Sequence, residues 1–260
     1  MIRIGFICPT YNAIELDKYT RLALSSFFET TPNGVSIVVD DGSKGWTNDY
    51  VQSLAIYGKH NEFIHFDSSG GLTRSWNAGL QKAFELNLDY VIAGNNDIVF
   101  TNKWYEGLLH ALTNGFSLAG PLSNAPGTTA EGKQEIDRYT DKFKLTDDRE
   151  LLNIIAEDVY NKNLGKVINS KVNGFFQIAS MESWVKGKYD KQHYYKPYNK
   201  FTSKGYINKT PTMTLNEDEL QSRWDKKNMK SAISLSSFIF HYRAVSRGDK
   251  YKKGKWYRKT

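Results

Sequence analysis

The segment Asp89-Tyr90-Val91-Ile92-Ala93-Gly94-Asn95-Asn96-Asp97 joins a short apolar run to a cluster of oxygen-bearing side chains. Residues 90–93 are too few for a helix and favour extended backbone, so they predict a strand that is buried on both faces. In open α/β sheets ligands bind just beyond the carboxyl ends of the strands, so Asp97 marks a candidate site for a cation or a phosphate-bearing ligand. The same Gly-Asn-Asn-Asp chemistry is also typical of an ordinary turn.

Two more strands are predicted nearer the N-terminus, and each of them ends in polar residues. The first apolar run, residues 2–8, stops at Pro9-Thr10-Tyr11-Asn12, and the second, residues 35–39, stops at Asp40-Asp41-Gly42-Ser43. Apolar residues at helical spacing between the two runs predict a connecting helix. Parallel strands joined through a helix place their carboxyl ends at the same edge of a sheet, so both polar segments should face one crevice.

A glycine-rich loop, Asp67-Ser68-Ser69-Gly70-Gly71, precedes a helix predicted over residues 72–86. Exposed amides at a helix N-terminus favour anions, and Arg74 in the first turn adds a guanidinium group that is suited to phosphate. The glycine spacing matches neither the dinucleotide-binding fingerprint nor the P-loop. This loop therefore argues against a Rossmann dehydrogenase and against a P-loop NTPase.

The composition favours an anionic partner and excludes several kinds of site. With a formal net charge of +7 and a pI near 9.2, the chain should attract a nucleotide, a phosphorylated lipid head group or a nucleic acid. The single cysteine, Cys8, excludes a disulfide within the chain and a thiolate zinc site. No apolar run approaches the roughly 18 residues that span a bilayer, and residues 1–8 lack secretory features, so a cytoplasmic location is expected.

Basic and aromatic residues are concentrated in residues 243–259. Such a tail can make peripheral contact with an anionic membrane surface, but a solvated terminus is the commoner explanation of this composition. A nucleic acid is the less suitable partner, because the carboxylates at the predicted strand ends repel phosphates unless a metal ion intervenes.

Four segments of the N-terminal half resemble glycosyltransferase family 2 in their order and spacing. They are residues 9–12 (PTYN), 38–43 (VVDDGS), 70–79 (GGLTRSWNAG) and 95–97 (NND). The resemblance implies the GT-A fold, an α/β, Rossmann-like, mostly parallel sheet that is flanked by helices and fused to an acceptor-binding half. A turn-rich segment after Gly120-Pro121 divides this compact domain into a nucleotide-sugar-binding half, residues 1–120, and an acceptor-binding and catalytic half with the basic tail, residues 121–260.

The resemblance and the charges together predict the residues that bind the donor. They are Pro9, Thr10, Tyr11, Asn12, Asp40, Asp41, Arg74, Asn96, Arg243 and Arg247. Asp41 and the segment at residues 9–12 would hold the nucleoside, and Asp97 would bind Mn²⁺ or Mg²⁺ on the diphosphate. Hard divalent ions take carboxylate and phosphate oxygens as ligands. The family usually has an acid at the position of Asn96 as well, so this chain offers one clear carboxylate.

A strand predicted over residues 236–240 leads to His241, which is followed by Arg243 and Arg247. An isolated histidine is more often structural. This one also looks like the C-terminal histidine that completes the metal or diphosphate site in some GT-A enzymes, and the two arginines suit a diphosphate.

The acceptor-binding half is less distinctive in sequence. Residues 145–164 have helical periodicity and are expected to border the acceptor pocket. Residues 172–180 read as an apolar strand, similar to the family's segment behind the acceptor sugar.

Candidates for the catalytic base lie in the segment Asn216-Glu217-Asp218-Glu219-Leu220. It resembles the family's Glu-Asp motif, whose aspartate is the base. Matching the Glu-Asp pair selects Asp218, which ranks first, whereas counting back from Leu220 and Arg223 selects Glu217. Acidic residues in a first turn also stabilise the helix dipole without any catalytic role.

The sequence thus predicts a metal-dependent, inverting glycosyltransferase. A nucleotide-diphosphate sugar is the expected donor, and a glycan, a lipid-linked compound or another hydroxyl compound is the expected acceptor. A sugar nucleotidyltransferase and a basic nucleic-acid-binding module are the alternatives.

Overall fold

The computed structural model describes residues 1–11, 13–127, 133–138, 148–197, 216–242, 250–252 and 255–257. Residues 13–15, 250–252 and 255–257 are described by their backbone alone. Three predicted donor-binding residues, Asn12, Arg243 and Arg247, lie outside the described residues.

The first half of the chain forms a parallel sheet with intervening helices. Its elements are β1 (Ile4–Thr10), α1 (Ala13–Thr30), β2 (Gly34–Asp40), α2 (Asn48–Ala55), β3 (Asn61–His65), α3 (Leu72–Glu85) and β4 (Tyr90–Gly94). The strand order is β3-β2-β1-β4, and every neighbouring pair is parallel. The carboxyl ends of these strands therefore share one edge of the sheet, as the sequence predicts.

The second half extends the same sheet with mixed pairing. Its elements are β5 (Ile98–Phe100), α4 (Trp104–Thr113), β6 (Leu118–Leu122), α5 (Arg149–Asn163), β7 (Val167–Asn169), β8 (Phe176–Ser180), α6 (Met181–Lys186), α7 (Asn216–Lys226), β9 (Ser231–His241), β10 (Lys250–Lys252) and β11 (Lys255–Tyr257). The order continues as β4-β8-β6-β9-β5, β7 pairs with β9, and β10 and β11 form a separate hairpin. The predicted α/β fold is confirmed, and the parallel arrangement is concentrated in its first half.

Two predicted strand boundaries are wrong. The predicted first strand stops at residue 8, but β1 continues through Pro9 and Thr10, because these residues pair in register with Val39 and Asp40 of β2. The strand predicted over residues 172–180 begins only at Phe176, the residue paired with Gly94 of β4.

Aromatic side chains pack against both faces of the sheet and hold its strands in place. On one face Phe6, Phe27, Phe100 and Trp104 form a chain of ring contacts with centroids 4.9–6.4 Å apart. On the other face Trp76, Trp184, Tyr195 and Trp224 do the same at 5.0–5.6 Å. Such contacts make the carboxyl edge a rigid platform for a site.

Among the helices that the structure describes, none is both long enough and apolar enough to cross a membrane.

Candidate active site

The strongest candidate for a metal site is a buried carboxylate–imidazole pair, Asp97 and His241. Asp97 lies in the turn between β4 and β5, and His241 is the last residue of β9. Because β5 and β9 pair antiparallel, Ile98 lies opposite His241. Oδ1 of Asp97 is 3.2 Å from Nε2 of His241, and both side chains are almost inaccessible to solvent. Strand pairing therefore brings together the two predicted metal ligands.

A hydrogen bond to the backbone defines which nitrogen of His241 carries the proton. Nδ1 lies 2.8 Å from the carbonyl oxygen of Ala125, which can only accept, so Nδ1 is the protonated nitrogen. In the neutral ring Nε2 then presents a lone pair towards Asp97. The side-chain nitrogen of Asn95 lies 3.3 Å from Nε2 and can donate to it. A histidine held through its other nitrogen in this way has the arrangement of a metal ligand.

Neighbouring residues hold the ring of His241 in place. Phe175 stacks on it with centroids 4.9 Å apart and an interplanar angle of 17°. The side chain of Asn124 accepts from the backbone nitrogen of His241 at 2.8 Å and donates to its carbonyl oxygen at 3.0 Å. The backbone nitrogen of Tyr242 donates to the carbonyl oxygen of Asp97 at 2.9 Å. The pair is therefore fixed by the protein itself.

Asn96, next to Asp97, makes its contact with helix α1. Its side-chain nitrogen donates to Oγ1 of Thr20 at 3.1 Å, and both residues are buried. Within the described ranges no group of three or more His, Cys, Asp or Glu side chains is arranged to hold a metal ion. The role of Asn96 in donor binding stays a prediction.

Asp40 organises the loop that follows β2. Its carboxylate accepts hydrogen bonds from Thr10 Oγ1 at 3.0 Å, from the backbone nitrogens of Gly42 and Ser43 at 3.2 and 2.8 Å, and from the hydroxyl of Ser43. Nδ1 of His65 lies 2.9 Å from the same carboxylate. The side chain is fully buried, so its observed contacts are within the protein. Donor binding by Asp40 also stays a prediction.

Asp41 joins the end of β2 to the glycine-rich loop before α3. Its carboxylate accepts from Ser69 Oγ at 2.7 Å, from the amides of Gly70 and Gly71 at 2.7–3.1 Å, and from Arg74 at 2.5 and 3.2 Å. Burial alone would raise the pKa of Asp41, but these hydrogen bonds outweigh it and lower the pKa below its ordinary value. Asp41 is therefore a stable anion that orders the loop.

Arg74 is held between that carboxylate and an aromatic ring. Its guanidinium lies 3.9 Å from the centroid of Phe66, and it also donates to the carbonyl oxygen of Ser68. The side chain is one-third exposed. The predicted phosphate-binding arginine thus has a defined position beside Asp41 while it remains accessible to a ligand.

The end of β1 supplies the remaining predicted donor residues. Pro9 and Thr10 are buried in the sheet, and the hydroxyl of Thr10 bonds to Asp40. Tyr11 follows with 47% of its surface exposed. The residue before it, Thr10, accepts from the backbone nitrogen of Asp41 at 2.8 Å, and an exposed aromatic ring is suited to stacking on a nucleobase.

The two candidates for the base lie in the first turn of α7 and have different surroundings. Asp218 is 38% exposed and lies 3.6 Å from Nζ of Lys171. Glu217 lies against the backbone of Gly174, where a Cβ atom would be 2.9 Å from its Cδ. Gly174 precedes Phe175, which stacks on His241. Glu217 thus contacts Gly174, which is adjacent to Phe175, whereas Asp218 contacts Lys171, four residues before Phe175.

Two residues inside the family-like segments also hold the site, through contacts that the sequence does not predict. Asn95 donates its backbone N–H to the carbonyl oxygen of Phe175 at 2.9 Å, which ties the turn before Asp97 to residues 172–175. Asn77 accepts from the backbone nitrogens of Tyr194 and Tyr195 at 2.9 and 2.8 Å. These are side-chain and backbone contacts between distant parts of the chain, and no local pattern marks them.

Cys8 has no catalytic features. It is fully buried in β1, and burial together with the negative charge of Asp97 raises the pKa of its thiol. A protonated, inaccessible thiol is consistent with a packing role for Cys8.

Comparison with known proteins identifies the family. The profile of glycosyl transferase family 2 matches residues 6–169, which is more than half of the chain. The chain therefore belongs to glycosyl transferase family 2. A search among curated protein sequences returned no significant match.

Solved structures of glycosyltransferases share the fold. A crystal structure of GalNAc-T7 with UDP, GalNAc and Mn²⁺ is 14% identical to this chain and has a TM-score of 0.61. The match covers 93% of this chain and 44% of the GalNAc-T7 chain. The structure of S. aureus TarS, residues 1–349, is 14% identical to this chain and has a TM-score of 0.54, and the match covers 92% of this chain and 60% of the TarS chain. The same S. aureus fragment in complex with UDP is 15% identical, with the same coverage and a TM-score of 0.50. This chain thus spans between 44% and 60% of the length of these neighbours, and at this identity the likeness establishes the GT-A fold.

Proposed function

We propose that this protein is a metal-dependent, inverting glycosyltransferase that moves a sugar from a nucleotide-diphosphate sugar to an acceptor hydroxyl. The observation that carries the proposal is the Asp97–His241 pair, because its ligand atoms converge just beyond the carboxyl end of β4. Open α/β sheets bind their ligands at this place. Membership of glycosyl transferase family 2 favours sugar transfer over the nucleotidyltransferase and nucleic-acid-binding alternatives.

The donor atoms at the site fit Mn²⁺ better than Mg²⁺. Proteins bind Mg²⁺ through oxygen ligands, whereas Asp97 and His241 offer one oxygen and one imidazole nitrogen. These two residues would hold the ion and leave its other positions to phosphate oxygens and water. A bound divalent ion would neutralise charge on the diphosphate leaving group.

The nucleoside would bind between Tyr11 and the loop that Asp41 orders. The exposed ring of Tyr11 is suited to stacking on the base. Asp41 is ionised and fixed by Ser69, Gly70 and Arg74, so a polar group of the nucleoside would meet a preorganised acceptor. UDP is present in the GalNAc-T7 structure and in one TarS structure, which makes uridine diphosphate sugars the first donors to test.

Glu217 is the proposed base, in preference to Asp218. It would take the proton from the acceptor hydroxyl as the hydroxyl oxygen forms a bond to the anomeric carbon. The bond from that carbon to the diphosphate oxygen breaks on the opposite side, so the configuration inverts. General-base action contributes about 10²–10⁴-fold, and the remaining acceleration comes from positioning and charge neutralisation. A glycan, a lipid-linked compound or another hydroxyl compound would lie beside residues 172–175.

A donor panel tests the proposal. The purified chain is incubated with uridine, guanosine and other nucleotide sugars, with Mn²⁺ or with EDTA, and release of the nucleoside diphosphate is measured. Release from one donor in Mn²⁺, and its loss in EDTA, is the expected result. Release of pyrophosphate in place of a nucleoside diphosphate would contradict sugar transfer and support a nucleotidyltransferase.

A further inference from the structure

Residues 172–175, which we call the linking segment, connect the metal-site pair with the helix that carries the proposed base. At one end the ring of Phe175 stacks on His241, and its carbonyl oxygen accepts from the backbone nitrogen of Asn95 at 2.9 Å. One residue earlier, Gly174 contacts the carboxyl group of Glu217. This segment therefore lies between the metal-site pair and the helix that carries Glu217.

Gln221 ties the linking segment to α7. Its Oε1 accepts from the backbone nitrogen of Val172 at 2.7 Å, and its Nε2 donates to the carbonyl oxygen of Val172 at 2.9 Å. The same Nε2 lies 3.0 Å from the carbonyl oxygen of Glu217. The side-chain amide thus pairs with Val172 as a neighbouring strand would, and it also holds the first turn of the helix.

Burial makes this connection hard to replace. Gln221 is only 1% exposed and Val172 is fully buried, so water does not readily substitute for the lost partner. Buried backbone groups require hydrogen-bond partners, and Val172 lies before the start of β8, outside the strand ladder. Removing the amide of Gln221 would leave both backbone groups of Val172 without their partner, which should let α7 and the linking segment separate.

We propose that Gln221 is a positioning residue for sugar transfer, which sets the place of the Glu217 carboxylate relative to the Asp97–His241 pair by locking α7 onto the linking segment. The inference rests on the proposed function, because it takes Glu217 as the base. Misplacing a reacting group by about 1 Å can reduce a rate by about 10²-fold. A residue that does not touch the reacting atoms can therefore act mainly on turnover.

A second buried glutamine provides a matched control. Gln134 accepts from the backbone and side-chain nitrogens of Asn173 at 2.7 and 2.9 Å, and it donates to the carbonyl oxygen of Pro121 at 2.8 Å. Like Gln221 it makes three hydrogen bonds to the segment and its surroundings, but its contacts are with β6 and Asn173 instead of α7. Gln134→Leu thus frees Asn173 of the linking segment from β6 but leaves the segment bonded to α7 through Val172.

The experiment compares Gln221→Leu with Gln134→Leu in the full chain. We measure the melting temperature, calorimetric binding of UDP in Mn²⁺, and kcat and KM with the most active donor of the panel. Both variants should have a lower melting temperature than the unmodified chain. Gln221→Leu should keep UDP affinity within about twofold and lose about 10²-fold in kcat, whereas Gln134→Leu should lose less than about fivefold. Equal losses of kcat in the two variants, or a normal kcat in Gln221→Leu, would overturn the inference.

Gln221→Glu keeps the shape of the side chain and serves if Gln221→Leu does not fold. The carboxyl group can still accept from the backbone nitrogen of Val172, but it lacks the amide that donates to the carbonyl oxygens of Val172 and Glu217. Gln221→Glu should therefore lose more kcat than Gln134→Leu while UDP affinity stays within about twofold, a split that a purely structural role would not produce. A normal kcat in this variant would overturn the inference.

Glu217→Gln separates this inference from the proposed function. If that variant is inactive while Gln221→Leu turns over normally, the positioning role fails and the proposed base stands. If Glu217→Gln retains full turnover, the base assignment fails, and the positioning role fails with it.

Discussion

Nε2 of His241 lies 3.2 Å from Oδ1 of Asp97, while the opposite ring nitrogen, Nδ1, donates to the carbonyl oxygen of Ala125. A neutral ring with this hydrogen bond keeps its lone pair on Nε2, so the two buried atoms can both bind a cation placed between them. The fold holds the pair through strand pairing and through the ring of Phe175. From this arrangement we predict which neighbouring positions affect metal binding.

Restoring an acid at position 96 is expected to leave metal affinity nearly unchanged. The side chain of Asn96 bonds to Thr20, and an aspartate there can accept from the same hydroxyl. Asn96→Asp should therefore bind Mn²⁺ and UDP within about threefold of the unmodified chain, as measured by calorimetry. A gain of about tenfold or more would show instead that this position reaches the ion.

Asp41→Asn is expected to destabilise the protein by about 1.5–3 kcal/mol at pH 7, because charge-assisted hydrogen bonds to Arg74 and the glycine-rich loop are lost. Urea unfolding of the two proteins gives this difference. Asp49→Asn, on the exposed first turn of α2, is the control and should change stability much less. Equal stability of all three proteins would mean that Asp41 does not order the loop.

The Asp41 contribution should also depend on pH in a definite direction. The pKa of this carboxyl is lowered in the folded state from its ordinary value of 3.8. Its stabilisation is therefore fully present above the unfolded-state pKa and is lost as the pH falls through the lower, folded-state pKa. The stability difference between the unmodified chain and Asp41→Asn should shrink below pH 3.8. A difference that grew in acid would contradict this linkage.

Glu217→Gln should lower turnover by about 10² or more and leave UDP affinity near normal, because a base contacts the acceptor and not the nucleotide. Asp218→Asn is the matched control, one residue along the same helix, and should retain most of the turnover. Nucleoside diphosphate release with an active donor and acceptor measures both.

The pH dependence of the same reaction gives a second readout. The acidic limb of the kcat/KM profile reports ionisation of the base in the free enzyme, so it should disappear in Glu217→Gln and persist in Asp218→Asn. The reverse pattern would restore Asp218, the first choice from the sequence, as the base.

The fold can be predicted from the sequence because the parallel strands are short apolar runs with polar ends. The polar cluster after residues 90–93 lies just beyond the end of β4, as predicted. The predicted end of β1 is wrong because proline usually interrupts a strand, whereas here Pro9 and Thr10 stay in register with Val39 and Asp40 of β2. Local pattern gives the existence of a strand more reliably than its last residue.

The candidate site could be predicted only in part from the sequence, because its geometry depends on contacts between distant segments. Successive residues of a helix point about 100° apart, so a shift of one position decides whether Glu217 or Asp218 faces the site. The sequence could not settle that register. Gln221 and Asn95 bond to backbone groups far along the chain, and such bonds leave no periodic signal.

The most direct test of the metal-dependent donor site is a calorimetric titration of UDP in Mn²⁺ and in EDTA. Asp97→Ala removes the proposed carboxylate ligand, and Asp218→Asn, which changes a carboxylate that faces Lys171, serves as the control. The unmodified chain and Asp218→Asn should bind UDP more tightly in Mn²⁺ than in EDTA. Asp97→Ala should bind UDP equally in Mn²⁺ and in EDTA. Mutating residues that only support metal ligands typically lowers metal affinity by about 10–100-fold, and the loss on removing a ligand should be at least as large. Unchanged Mn²⁺-dependent affinity in a folded Asp97→Ala protein would contradict the assignment of Asp97 and His241 as the metal site.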